Sequence, residues 1–202
     1  MIRDLRSGKM RKLLRTGGPK LLGMLFLCVP VGCGTSAPEK KDAPQVATSP
    51  IPVANPKDVQ SLDAIVAAIY DVISGPPGER DWNRFHSLFA KDARLIAVRI
   101  PKDGSKPSLV VMTPKDYADN AGGYFKEHGF FEHELSRKTD SFGAMTHIYT
   151  TYESRETKDG KPIDRGINSM EFFFDGERWW CVEIYWDAER PGNPIPEKYL
   201  AK

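Results

Sequence analysis

Four side chains in the second half of the chain, His133, Thr150, Tyr152 and Asn168, carry the chemistry of a small site. An imidazole titrates near neutral pH and a phenol can pass on a proton, so His133 and Tyr152 together suit proton transfer on a bound molecule. The same four can instead satisfy one another. His133 then hydrogen-bonds Thr150 opposite it, and Tyr152 and Asn168 bond each other and the backbone. This second arrangement describes a non-catalytic binding or assembly module, and it is the reading the residues favour. The alternative is a small-molecule lyase or isomerase using His133 and Tyr152. His86, His128 and His147 share no metal-ligand spacing with carboxylates, so neither a metal nor a cofactor is expected. The sequence has no glycine-rich phosphate loop and no nucleophile elbow. Glu153, Arg155 and Arg165 read as a solvated charge cluster at a hairpin end.

Four runs rich in β-branched and aromatic residues, 129–138, 144–155, 165–174 and 178–187, must position that set. The breaks at 140–143, 157–164 and 175–177 make them consecutive hairpins. Registered about those loops, one face reads Leu135–Ile148–Phe172–Trp180, then His133–Thr150–Met170–Val182, then Phe131–Tyr152–Asn168–Ile184, ending near Trp186. The opposite face carries Glu132, Glu134, Glu171 and Glu183. A slip of one residue would bury those acids, so burial pins the register. Upstream, Leu62, Ile65, Val66, Ile69, Val72 and Ile73 recur at helical spacing and stop at Ser74-Gly75-Pro76-Pro77-Gly78. Asp81 caps a second helix with Trp82, Phe85, Leu88 and Phe89 on one face. Thr113 caps a third, with Pro114 at its first position and Tyr117, Ala121, Tyr124 and Phe125 on its buried stripe. Short strands at 94–100 and 108–112 lie between the second and third helices. About three helices followed by an antiparallel meander make an α+β plan, with the curved sheet wrapped around the helices.

The run Asp81-Trp82-Asn83-Arg84-Phe85-His86-Ser87-Leu88-Phe89, followed by Ala93-Arg94-Leu95, resembles the second helix and first strand of the nuclear transport factor 2-like (SnoaL-like) superfamily. Thr150–Arg155, Arg165–Ser169 and Arg178-Trp179-Trp180 are similar to its last strands. The resemblance implies a cone-shaped sheet whose interior opens into an apolar pocket. It implies no activity, because enzymes, binding modules and assembly domains share this scaffold. The pocket it implies here is lined by Trp82, Phe85, Tyr117, Phe131, His133, Thr150, Tyr152, Asn168 and Trp186, and it takes a small apolar ligand. Enzymes of the superfamily place a carboxylate inside. With none on the inner rows, the isomerase and cyclase types in which a carboxylate moves the proton are not expected. The outer face is the surface through which such domains pair, and Tyr149, Phe173, Trp179 and Tyr185 there suggest a homodimer.

Charge is segregated along the 202 residues. Residues 1–32 hold seven Lys/Arg and one acid, leaving 22 bases and 26 acids beyond them. A mildly acidic body with no basic run excludes nucleic acid as the main partner. The basic start leads into an apolar stretch, 21–32, too short to span a bilayer and right for a signal peptide. Val31-Gly32-Cys33-Gly34 resembles a bacterial lipoprotein processing site with Cys33 as the acylated residue, which implies a protein held on a membrane of the cell envelope. Residues 33–57 contain five Pro among Ser, Thr, Ala and Lys and read as a tether, with the domain at 58–202. Cys181 is then the one thiol left in the body, and no internal disulfide is expected.

Overall fold

The computed structural model describes residues 50–200, and the expected signal segment, Cys33 and most of the tether lie outside them. Each helix begins on a side chain that satisfies its free N–H groups. Asn55 opens the short α1 (Pro56–Val59) and Ser61 caps α2 (Leu62–Ile73). Asp81 accepts from the Arg84 N–H to start α3 (Trp82–Ser87), and Thr113 with Asp116 forms a capping box on α4 (Pro114–Glu127). Helix α2 turns Ile65, Val66, Ile69, Tyr70, Val72 and Ile73 into the core, against Phe85, Phe89, Phe125, Ile148, Met170 and Phe172.

Six strands form one sheet: β1 (Phe89–Arg99), β2 (Ser108–Met112), β3 (Phe131–Phe142), β4 (Met145–Arg155), β5 (Pro162–Phe174) and β6 (Trp179–Ala188). The order across it is β2-β1-β6-β5-β4-β3, antiparallel except where β1 meets β6. The architecture is α+β, with a curved sheet around a few helices. Phe89 opens a strand instead of closing the second helix, so β1 starts five residues earlier than expected. Helix α1 and a 3-10 turn at Glu197–Tyr199 were not expected from the sequence.

The hairpin registers differ from the sequence reading. Strand β3 runs on to Phe142 and reverses through Gly143-Ala144, with Gly143 at φ 58, so Thr139 and not Leu135 faces Ile148. An irregularity at Leu135 then changes the parity of the strand. Beyond it Arg137 faces Thr150, and before it Glu134 faces Tyr152 and Glu132 faces Ser154. The β4–β5 pairing is displaced by two residues, which keeps the faces: Ile148 meets Met170 and Thr150 meets Asn168. A second irregularity, at Val182, splits β6. Ile184 and Trp186 face inward as expected, but Val182 turns outward, 39% exposed, while Cys181 is fully buried opposite Phe172. Trp180 lies beneath the Arg178 guanidinium, and Trp179 packs against the core instead of standing on the outer face. Glu171 and Glu183 stay outside, with Glu171 bonded to His147 at 2.7 Å.

Gly166 sits where three strands crowd. A Cβ there would fall 2.4 Å from the Asp187 carbonyl oxygen and 2.5 Å from the Tyr152 hydroxyl. Gly166→Ala is expected to destabilise the domain by about 1–3 kcal/mol, the usual cost of overpacking, read from the urea unfolding midpoint.

Candidate functional site

A cavity of about 80 Å³ lies between α2, α4 and the inner face of the sheet. Its walls combine the aromatic rings of Tyr70, Phe85, Tyr117, Tyr124, Phe125, Phe130 and Trp186 with aliphatic side chains such as Ile69, Leu95 and Ile184. The polar lining is Glu132, Tyr152, Ser154, Asp164 and Asn168. Among the described residues no Lys, Arg or His lines it.

Of the residues the sequence nominated, Phe85, Tyr117, Tyr152, Asn168 and Trp186 reach this cavity. Four do not. Trp82 stacks on Phe125 from behind and lies in a groove between α3 and α4. Phe131 and His133 share the outward parity of early β3, and the His133 side chain is 47% exposed, with its Nε2 4.0 Å from Glu153. Thr150 is buried but spends its hydroxyl on Glu134 Oε1 at 2.7 Å. His133 and Tyr152 are therefore not assembled into one site, because the extra residue at Leu135 turns Glu132 inward, opposite Ser154, and His133 outward. The absence of an inner carboxylate is also corrected: Glu132 and Asp164 both line the cavity. The Gly143-Ala144 turn moves β3 along β4 by an even number of residues, which keeps the faces, so only the irregularity at Leu135, which no sequence signal marks, turns Glu132 inward.

Glu132 is held from both sides. Its N–H donates to Ser74 Oγ at 2.9 Å, just beyond α2, and Gly75 and Phe130 exchange two backbone hydrogen bonds beside it. Across the sheet the row runs Glu132, Ser154, Asp164 on three neighbouring strands. Burial pushes the Glu132 carboxyl up to about 8, and the Asp164 charge pushes the same way. It therefore holds its proton through neutral pH, where an ordinary glutamate is ionised. The Tyr152 hydroxyl is sealed in the wall with no hydrogen-bond partner. Burial raises its pKa well above the usual phenol value, with Asp164 and Glu132 adding to the effect. Tyr70 accepts from Asn168 Nδ2 at 3.1 Å and is likewise pushed up, first by burial. Such a site can bind a small molecule and exchange a proton with it. Among the described residues, no group of three or more His, Cys, Asp or Glu could hold a metal ion.

The outer face differs from its expectation. Tyr149 is covered by the ring of Tyr199 at 4.8 Å, and Ser136 and Thr151 both donate to the Tyr199 carbonyl. Trp179 has turned away, while Phe173 and Tyr185 remain exposed.

No known protein family and no curated protein matches the sequence. Solved structures do resemble its chain path. A cystatin-like protein of unknown function from Nostoc punctiforme is 8% identical, with 64% of this chain and 90% of that one covered, at a TM-score of 0.49. A protein of unknown function from Mycobacterium tuberculosis is 10% identical over 67% and 75%, at 0.48. A nuclear transport factor 2-like protein of unknown function from Methylobacillus flagellatus is 15% identical over 64% and 95%, at 0.42. These likenesses concern fold alone.

The unfolded chain releases the Glu132 proton near pH 4.5 and the folded chain near 8. Between those values the folded state binds more protons, so this residue's contribution to stability is full below 4.5 and is lost as pH rises toward 8. Urea unfolding across that window is expected to show a declining free energy, and Glu132→Gln to flatten the decline.

Proposed function

We propose that this domain is a small-molecule binding module held at the cell envelope, with residues 1–32 as export signal, Cys33 as the lipidated residue and residues 33–57 as spacer. The basic start, the short apolar stretch and the Val31-Gly32-Cys33-Gly34 site support the anchoring. The observation that carries the binding reading is the Tyr152 hydroxyl, sealed without a partner beside the Glu132 carboxyl in an aromatic cavity. A buried hydroxyl left unsatisfied costs about 1–3 kcal/mol, and a polar ligand atom in the cavity removes that cost. The cavity's form, apolar walls with a few convergent polar groups, is the usual form of a ligand site.

A second reading, a lyase or isomerase, is favoured by one feature: a carboxyl that titrates near 8 can both give and take a proton at neutral pH. In that case Glu132 carries the proton and His133 has no part in the chemistry.

Both readings share a test. Native mass spectrometry of the full chain, purified from its own membrane in detergent, is expected to show a retained small molecule. Tyr152→Phe deletes the sealed hydroxyl. It is expected to raise stability by about 1 kcal/mol in urea unfolding while losing the retained molecule. A phenylalanine variant that keeps the same adduct would refute the role given to Tyr152.

A further inference from the structure

Resting on the binding reading above, we infer that the cavity takes a small aliphatic ligand bearing a protonated amine. The ammonium lies between Glu132 and Asp164, within reach of the Tyr152 hydroxyl. Three observations converge on this. The two carboxyls occupy one cross-strand row on either side of Ser154, their strands two sheet spacings apart, or about 10 Å, so one ammonium fits between the side chains. The polar lining includes two carboxyls and several hydroxyls, Ser154 and Tyr152 among them, that can accept from an ammonium. One of the two amide N–H groups of Asn168 is given to Tyr70. Aromatic rings share the rest of the wall with Ile69, Ile73, Leu95, Met170 and Ile184, and their faces attract a cation by their quadrupoles. Independently of the acids, the unpartnered Tyr152 oxygen offers a lone pair to an N–H group. Anionic ligands meet two carboxyls and no base.

The ligand's size follows from the volume. A cavity of about 150 Å³ holds a benzene ring. About 80 Å³ suits an aliphatic molecule of about three heavy atoms, with its polar end toward the acids.

Glu132 is neutral in the empty site because nothing positive faces it. Around it stand Tyr70 from α2, Tyr117 from α4, Tyr152 from β4 and Asp164 from β5, and the three phenols stay neutral through the range concerned. The Arg80 guanidinium, near Tyr117, is committed to the carbonyls of Ile73, Gly75, Pro76 and Gly78. Glu134 on the same strand is paired with Arg137. A bound ammonium supplies the missing countercharge, and the carboxyl ionises. The balance is one ammonium taken up, one proton released to solvent and no covalent bond changed.

Isothermal titration of the full chain in detergent tests this with ethylamine, ethanol and acetate, at about pH 7 and in two buffers of different ionisation enthalpy. The amine is expected to bind at least about tenfold tighter than the alcohol, and the carboxylate more weakly than either. The buffer difference is expected to report release of close to one proton per amine, absent in Glu132→Gln. Alcohol binding as tight as amine binding, or amine binding with no proton released, overturns the inference and leaves the pocket reading standing. Failure of all three to bind at about 10 mM overturns the pocket reading too. If the glutamine variant does not fold, proton release by the unaltered chain in the two buffers decides alone.

Discussion

One extra residue, Leu135, decides which ionisable group the cavity contains. Strand β3 is anchored at both ends: at its start by the Gly75–Phe130 bridge and the Ser74 hydroxyl on Glu132, at its end by the tight Gly143-Ala144 turn. The two anchors are out of step by one residue, and the strand absorbs the difference as a local irregularity. Were the pairing from the hairpin to run unbroken, His133 would face Ser154 and Glu132 would face solvent. Side chains alternate with a period of two, so a single inserted residue exchanges the entire inward set of that half-strand. An imidazole is traded for a carboxyl, and the chemistry available to the pocket changes with it.

The exchange places an acid where no base can reach it. Its proton stays on because ionisation in an aromatic enclosure beside a second carboxyl is unfavourable. Tyr152 pays a related cost, with its ring packed against the backbone at Gly166 and its hydroxyl unsatisfied. The surroundings are otherwise well met: Asn168 bonds Tyr70, and Thr150, Glu134, Arg137 and Asp63 form a connected chain beneath α2. Among the described residues the one buried side-chain polar atom left without a partner, the Tyr152 hydroxyl, therefore lies in this cavity. A fold that is locally consistent elsewhere departs from that consistency where function is expected to reside.

The outer face obeys a different constraint. A sheet with one face on the core commonly leaves the other to water, but here the segment after β6 folds back across it. Thr151 and Glu153 are buried on that side, and Glu153 is paired with Arg155. Arg165 pairs with Glu189 at the start of the returning segment, so the cluster expected at the hairpin end is split between two partners. The row from Phe142 through Met145 to Phe173 is left bare at the far end of the sheet.

Local rules settled the helices. Ser61, Asp81 and Thr113 start them, apolar residues at helical spacing give them a buried face, and the Ser74–Gly78 segment stops α2, all within a few residues. The α+β plan, the run of hairpins and the aromatic wall of Phe85, Tyr117 and Trp186 were legible for the same reason: periodicity and burial act on short stretches. Which strand residues meet was not legible, because it depends on contacts between segments far apart in the chain. Gly75 bridges to Phe130 across more than fifty residues, and Leu135 and Val182 interrupt strands whose alternation looks regular. Composition alone told the chain to bury its greasy residues and expose its acids. Only the tertiary anchors could make Glu132 an exception, since the hydrogen bonds that hold its backbone outweigh the preference of its side chain for water.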